Sequence, residues 1–291
     1  MTIDHGRVPG NRTTELPGIR PFGRIKGERM TELPTAFYKQ LSEGEFEPTV
    51  ATQGPWSPDF QHGGPPSSLL THALRIHPAA CPFRIIRITI EILNAVPVTP
   101  CEITVEVVRG GRRIDLLRGE YRSGGKTYLI AHAWRVFSEV GLTMATPDAY
   151  SVPLLPEAQA HDLYSMFGNF PYVEALEWRF SKGGFDALGP ATVWTRPRIP
   201  LIEDQEVDGL EALVLMIDSA NGISAELDFD QWTYVPVDMT VGILRPPEGP
   251  WFGMEARTAI GDDGSGQTTT VAFDRRGTVG RSLHTLFIRP R

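Results

Sequence analysis

Segments rich in β-branched and aromatic residues, bounded by Gly or Pro, occupy most of the chain and predict β-strands. Two longer segments, at residues 65–76 and 208–223, instead repeat apolar residues at helical spacing and predict helices. The predicted strands cover residues 46–52, 84–93, 101–110, 114–123, 127–137, 177–184, 190–199, 234–244, 251–261, 266–277 and 279–290.

The order of these segments repeats along the chain. RITIEIL, from residue 87, aligns with DMTVGIL at an offset of 151. GKTYLIAHAWRVF aligns with GTVGRSLHTLFIR at an offset of 152, which places His132 on His284. An offset of this length is too long for a solenoid repeat and favours two fused domains of one fold. Each domain is predicted to contain a strand, a long helix and a four-stranded antiparallel meander.

The predicted fold class is α+β. A strongly curved antiparallel sheet wrapped around one buried helix explains why so many strands accompany so apolar a helix. We place one such domain at residues 31–140 and the other at 173–291, with a linker at 141–172. Residues 1–30 are polar, rich in Gly, Pro and Arg, and are predicted to form a disordered tail.

Composition and charge exclude several classes of function. The formal net charge of −7 argues against nucleic acid as a main partner. No apolar run reaches the roughly 18 residues of a membrane span. The first thirty residues contain no apolar signal region, and Cys81 and Cys101 form neither a zinc motif nor a disulfide framework. We therefore expect a cytoplasmic protein.

The two repeats differ where chemistry would need polar groups. The first helix opens with QHGGPP, whereas the second carries Asp218 near its end. The head of the long strand is Arg87 in the first repeat and Asp238 in the second. A Gly-rich helix start in one half and a carboxylate in the other predict one shared site between the halves.

The helix start suits a carbonyl or a developing oxyanion, because its N–H groups are unpaired and its dipole is positive. Gly63 and Gly64 would let a carbonyl approach these N–H groups. His62 either helps to bind the carbonyl or only braces the turn. Asp238 would take a proton from a water molecule and direct that water at the carbonyl. The simpler alternatives are a mere turn at His62–Gly64 and ordinary structural roles for Asp218, Asp238 and His284.

Taken together, the tandem halves, the GPW and QHGGPPSSLL segments, the run VDMTVGILRPPEGPWFGMEART and GTVGRSLHTL resemble the double-hotdog acyl-CoA thioesterases of the thioesterase II type. The resemblance covers residues 31 to 291. It implies a tandem hotdog fold and hydrolysis of acyl-CoA thioesters by carboxylate-assisted attack of water.

The resemblance also implies particular site residues. Asp238, seven residues before Arg245-Pro246, matches the catalytic carboxylate, and Thr258 matches a residue that helps to hold the water, with Ser265 as a rival. His284 stands where the family has Gln. Asp218 resembles the helix Asp of phenylacetyl-CoA-type hotdog thioesterases, so two carboxylates compete for one role.

We expect an enzyme that takes acyl-CoA as a small-molecule substrate, as a monomer or a homodimer. No metal or organic cofactor is expected, because CoA is part of the substrate. One alternative is a hotdog hydratase or dehydratase with His62 as its base. Another is a non-catalytic module that binds acyl-CoA or lipid.

Overall fold

A computed structural model describes residues 32–79, 81–139, 141–159 and 170–291. The predicted tail at 1–30 lies outside these residues. The described strands form one twelve-stranded antiparallel sheet, and the helices pack on one of its faces, called here the inner face. No helix in these ranges is long and apolar enough to cross a membrane.

The first half contains six strands, a one-turn 3₁₀ helix and one long helix. In chain order they are β1 (Tyr38–Ser42), β2 (Glu45–Pro48), the 3₁₀ helix (Val50–Thr52), α1 (Gly64–Ile76), β3 (Phe83–Ile92), β4 (Cys101–Arg109), β5 (Ile114–Ser123) and β6 (Lys126–Phe137).

The second half repeats this order with additional short helices. Its elements are α2 (Pro171–Glu174), β7 (Leu176–Lys182), β8 (Ala191–Pro197), α3 (Gly209–Ile217), α4 (Ala220–Ile223), β9 (Trp232–Ile243), β10 (Phe252–Ile260), β11 (Ser265–Asp274) and β12 (Gly277–Pro290). Most predicted elements are thus confirmed to within two or three residues at each end.

Three predictions were wrong in detail. The four long strands of each half are not a simple meander, because the first of them pairs with the last: the spatial orders are β4-β5-β6-β3 and β9-β12-β11-β10. The strand predicted at 46–52 ends at Pro48, which cannot donate to a ladder. The helix predicted at 208–223 breaks after Ile217, where Asp218, Ser219 and Asn221 favour helix ends over helix interiors.

The halves join through β3 and β9, which pair so that Thr89 and Thr240 lie opposite each other. Their hydroxyl oxygens are 3.1 Å apart, and each residue is the repeat of the other at the offset of 151. On the inner face α1 packs against α3, and Ser68 donates a hydrogen bond to the Glu211 carbonyl (2.8 Å). The result is one continuous core between two related halves.

The same offset of 151 continues through β6 and β12, and this corrects the predicted equivalence of His132 and His284. In the second half His284 lies opposite Met239. Met239 corresponds to Ile88 in the first half, and Ile88 lies opposite Ala133, so Ala133 is the equivalent of His284. His132 is one position out of register and only half-buried. A slip of one residue moves a strand side chain to the other face of the sheet. The two histidines are therefore unrelated in position.

The predicted linker is not an idle connection in its described part. Asp148 accepts a hydrogen bond from the Thr278 backbone N–H (2.6 Å), and the Tyr150 hydroxyl donates to Glu255 (2.8 Å). Tyr150 also packs against Phe273. This segment therefore contributes to the second half.

Candidate active site

The loop before α1 holds His62 and Gly63 at the junction of the two halves. The His62 backbone N–H donates to Thr52 O (2.8 Å), which fixes the loop against the preceding 3₁₀ helix. Gly63 is the N-cap of α1, and Pro65 and Pro66 follow within its first turn. Prolines are tolerated there because the N–H groups of a first turn have no helical partner.

These prolines also reduce what the helix start can offer. Neither Pro65 nor Pro66 has an N–H group, and the Ser67 N–H already bonds to Gly63 O (3.1 Å). At this helix start, Gly63 and Gly64 therefore supply the remaining backbone N–H groups. The Gly64 N–H donates a hydrogen bond to His62 Nδ1 (3.2 Å) and also lies beside the Asp218 carboxylate. Of these two N–H groups, that of Gly63 has no partner within the described residues. The predicted anion-binding helix start is thus reduced to one free donor.

Asp218 meets this loop from the other half. It follows the last residue of α3, is 4% exposed, and places its Oδ2 3.0 Å from His62 Nδ1. Its second oxygen, Oδ1, is buried without a hydrogen-bond partner in the described chain. One oxygen of the carboxylate therefore faces His62, and the other is buried without a partner in the described chain.

The two glycines make this approach possible. A Cβ on Gly63 would lie 2.7 Å from Asp218 Oδ1, and a Cβ on Gly64 would lie 2.3 Å from the Leu215 carbonyl oxygen. Real Cβ atoms essentially never come this close to another heavy atom. Part of the space that the glycines were expected to open for a substrate is therefore filled by the end of α3.

The His62 ring is held by an aromatic stack. It lies parallel to Tyr172, with ring centroids 3.8 Å apart, and Phe170 is parallel to both. The Tyr172 hydroxyl donates to the Leu215 carbonyl (2.7 Å) and lies 2.9 Å from Ser219 Oγ. The orientation of His62 is therefore fixed by groups from both sides of the site.

A row of polar side chains crosses the inner face of the second half. His284, Thr268 and Thr258 lie opposite one another on β12, β11 and β10, and all three are buried. Thr258 Oγ1 is 2.8 Å from both Thr268 Oγ1 and Ser224 Oγ. Because Ser224 donates to the Ala220 carbonyl (2.8 Å), Thr258 must donate to Ser224, and Thr268 to Thr258.

His284 is the least satisfied member of this row. It is fully buried, and neither ring nitrogen has a hydrogen-bond partner within the described residues. Burial lowers the pKa of His284 below its usual value, against the opposing effect of the Asp218 and Asp238 carboxylates. The imidazole is therefore neutral near neutral pH.

Several groups keep Asp218 ionised. Burial raises the pKa of its carboxyl, but the positive potential of His62, the His62 hydrogen bond, His284 and the Gly64 N–H together outweigh burial and lower it. Asp218 is thus a buried carboxylate that remains negatively charged.

The structure does not bring Asp238 into this cluster. In the part of β9 that follows its bulge the buried residues are Met239, Val241 and Ile243, so Asp238 and Thr240 lie on the outer face. One Asp238 oxygen accepts the Thr285 backbone N–H (2.9 Å), where a β-bulge interrupts the ladder. Ser265, the predicted rival of Thr258, is exposed at the start of β11 and bonds to Asp263.

The family comparison bears directly on this cluster. Residues 52–136 match the acyl-CoA thioesterase N-terminal domain, and residues 148–288 match the acyl-CoA thioesterase C-terminal domain. The chain belongs to the acyl-CoA thioesterase family. The two matched segments contribute His62 and Asp218 respectively, so the cluster forms where the two family domains meet.

Solved structures share the fold. A conserved protein of unknown function with a hotdog fold from Alicyclobacillus acidocaldarius matches with a TM-score of 0.68 at 15% identity, over 86% of this chain and 95% of that one. An acyl-CoA thioesterase II from Mycobacterium marinum matches with a TM-score of 0.60 at 17% identity, over 87% and 95%. The predicted tandem hotdog fold is thereby confirmed. No curated protein sequence matches the chain.

Sequence reasoning missed two members of the polar row and its neighbours, Thr268 and Ser224. Thr268 had a detectable signal, because the repeat offset of 151 aligns it with Leu117, an apolar residue. Ser224 had none, since it follows α4, an element without a counterpart in the first half. Within the described chain no group of three or more His, Cys, Asp or Glu residues could hold a metal ion.

Proposed function

We propose that this member of the family hydrolyses acyl-CoA thioesters at the junction of its two halves. The observation that carries the proposal is the meeting of His62 and Gly63 from the first half with Asp218 from the second. Membership of a thioesterase family indicates the substrate class. The junction brings together the Asp218 carboxylate, the His62 imidazole and the free Gly63 N–H group.

The thioester approaches from the side of His62 and Gly63. Both residues are partly exposed, whereas Asp218, His284 and Thr258 are buried. CoA is too large to enter the core, so its thioester would reach the site from this side. The carbonyl oxygen would accept the Gly63 N–H, which stabilises negative charge on that oxygen as water attacks.

Asp218 is the carboxylate that assists this attack. We prefer it to Asp238 because it contacts His62 and lies next to Gly63. Asp238 instead accepts a hydrogen bond from the backbone of β12. His284 acts electrostatically on Asp218. Thr258 has no proton left for the water, because it donates to Ser224.

A panel of acyl-CoAs from short to long chains tests the proposal through release of the free thiol. We expect CoA release from at least one chain length, and none from the same panel with Asp218→Asn. A wild-type protein that releases no CoA at any chain length contradicts hydrolysis. Loss of the conjugated absorbance of an enoyl-CoA without thiol release would indicate the alternative hydratase.

A further inference from the structure

Gln61, which opens the QHGGPP segment, is anchored by a network of side-chain hydrogen bonds that the proposed reaction leaves unexplained. It is 5% exposed, and its side-chain Oε1 accepts the Tyr38 hydroxyl (2.5 Å). Its Nε2 donates to the Pro97 carbonyl (2.7 Å) and to the Tyr121 hydroxyl (2.9 Å). Because the amide oxygen and both amide hydrogens have partners, the buried side chain is held in one orientation.

The neighbours of this amide also determine which way round it lies. A carbonyl oxygen can only accept a hydrogen bond, so the amide atom that faces Pro97 must be Nε2. Burial raises the pKa of the Tyr38 and Tyr121 hydroxyls, so both keep their protons, and the Tyr38 proton is donated to Oε1. Gln61 therefore joins β1, β5 and the segment between β3 and β4.

The chain that follows Gln61 belongs to the candidate site and has little stiffness of its own. Two glycines come directly after His62, and glycine permits a wide range of backbone conformations. Backbone hydrogen bonds hold the Gln61 N–H to Val96 O (2.8 Å) and the His62 N–H to Thr52 O (2.8 Å). The side-chain network of Gln61 adds three further hydrogen bonds immediately before the site.

The second half lacks the tyrosine on which this network depends. At the repeat offset of 151, Tyr121 corresponds to Ala272, since the two lie opposite Leu129 and Gly280, which differ by the same offset. An alanine at this place is compatible with the fold, so folding alone does not explain the Tyr121 hydroxyl. The half that has the hydroxyl is the half that supplies the glycine loop to the junction.

We propose that Gln61 is a positioning residue of the hydrolysis. Through its side-chain network it fixes the His62 ring and the Gly63 N–H beside the Asp218 carboxylate. The role rests on the proposed function and deepens it, because Gln61 acts through the two residues that follow it and not on the thioester. A misplacement of about 1 Å in such a site can cost about 10²-fold in rate.

Gln61→Met removes the network at nearly constant side-chain length. We expect kcat to fall by about 10- to 100-fold with little change in KM, because the Gly63 N–H serves the charge that develops in the transition state. The matched control is Gln159→Met. Its amide also makes two hydrogen bonds, both to the backbone of Phe180 on β7, and its loss should leave kcat unchanged.

Variants of the two tyrosines keep the test decisive if Gln61→Met does not fold. Tyr121→Phe removes one partner of the amide and should lower kcat less than Gln61→Met does. It should lower kcat no further when it is added to Gln61→Met, because its effect passes through Gln61. Independent, multiplying effects would show a merely structural tyrosine, and a folded Tyr38→Phe/Tyr121→Phe double variant with wild-type kcat would overturn the proposal.

Proton NMR of the histidine ring reads the position of His62 without substrate. The parallel Tyr172 ring, 3.8 Å away between centroids, shifts the His62 ring resonances. We expect these resonances to move in Gln61→Met and to stay in place in Gln159→Met. A folded Gln61→Met with wild-type kcat, or with unmoved His62 resonances, overturns the role of Gln61 alone. A wild type that releases no CoA from any acyl-CoA overturns the proposed function instead.

Discussion

The two halves share a backbone plan but differ in the row of side chains that crosses each inner face. In the second half this row contains Thr258, Thr268 and His284. At the offset of 151, the first half has Val107, Leu117 and Ala133 in their places. An apolar row suffices to build this fold, so the polar row of the second half is not explained by folding alone.

Each half contributes a different end of its helix to the junction. The first half supplies the start of α1, with two glycines and two prolines, and the second supplies the end of α3, where the helix breaks at Asp218. The first half therefore provides a backbone that other groups can approach closely, and the second half provides the negative charge of Asp218. Neither half alone contains all the residues of the candidate site.

Gly63→Ala should lower the activity strongly although it leaves the carboxylate in place. The new Cβ would stand 2.7 Å from Asp218 Oδ1 and must displace it, and a misplacement of about 1 Å can cost about 10²-fold in rate. The measurement is kcat/KM for acyl-CoA. Gly222→Ala is the control, because its Cβ would meet nothing within 4 Å; equal activity of the two variants would contradict the packing argument.

Exchanging one position between the rows should destabilise the first half more than the second. Leu117→Thr removes a fully buried side chain and should lower the free energy of unfolding by about 2–5 kcal/mol. Thr268→Val removes only a hydroxyl and should cost about 1 kcal/mol. Urea unfolding measures both, and a larger loss for Thr268→Val would show that the polar row is needed for folding.

Acid should weaken the second half through His284. Its pKa is lowered in the folded state, so between that value and the ordinary value the unfolded chain binds more protons. Stability therefore falls as pH decreases through this window, by at most about 1.4 kcal/mol per pH unit. Unfolding curves from pH 8 to 5 should show a smaller loss for His284→Gln; parallel curves would contradict the assigned neutral state.

The sequence predicted the fold well because strand and helix periods, and the repeat, are local signals. Both long helices and most of the strands could be placed from periodicity alone. The strand order could not, because pairing of β3 with β6 depends on contacts distant in sequence. The sequence alignment placed the last strand one residue out of register with its repeat, so it wrongly made His132 the equivalent of His284.

The site was predictable only in part. QHGGPP and Asp218 are visible as differences between the repeats, and the structure brings them together. The preference for Asp238 arose from its place at the head of a long strand, but the alternation of β9 points it to the outer face. That Gly63 and Gly64 accommodate Asp218 follows from helix packing between the halves, which no sequence period encodes.

The most direct test compares Asp218→Asn with Asp238→Asn in the thiol-release assay. Each change removes one negative charge at nearly constant size. We expect Asp218→Asn to lower kcat/KM by at least about 10²-fold, the smaller effect typical of lost acid–base assistance, and Asp238→Asn to stay close to wild type. An active Asp218→Asn beside an inactive, folded Asp238→Asn would contradict the junction of the two halves as the catalytic site.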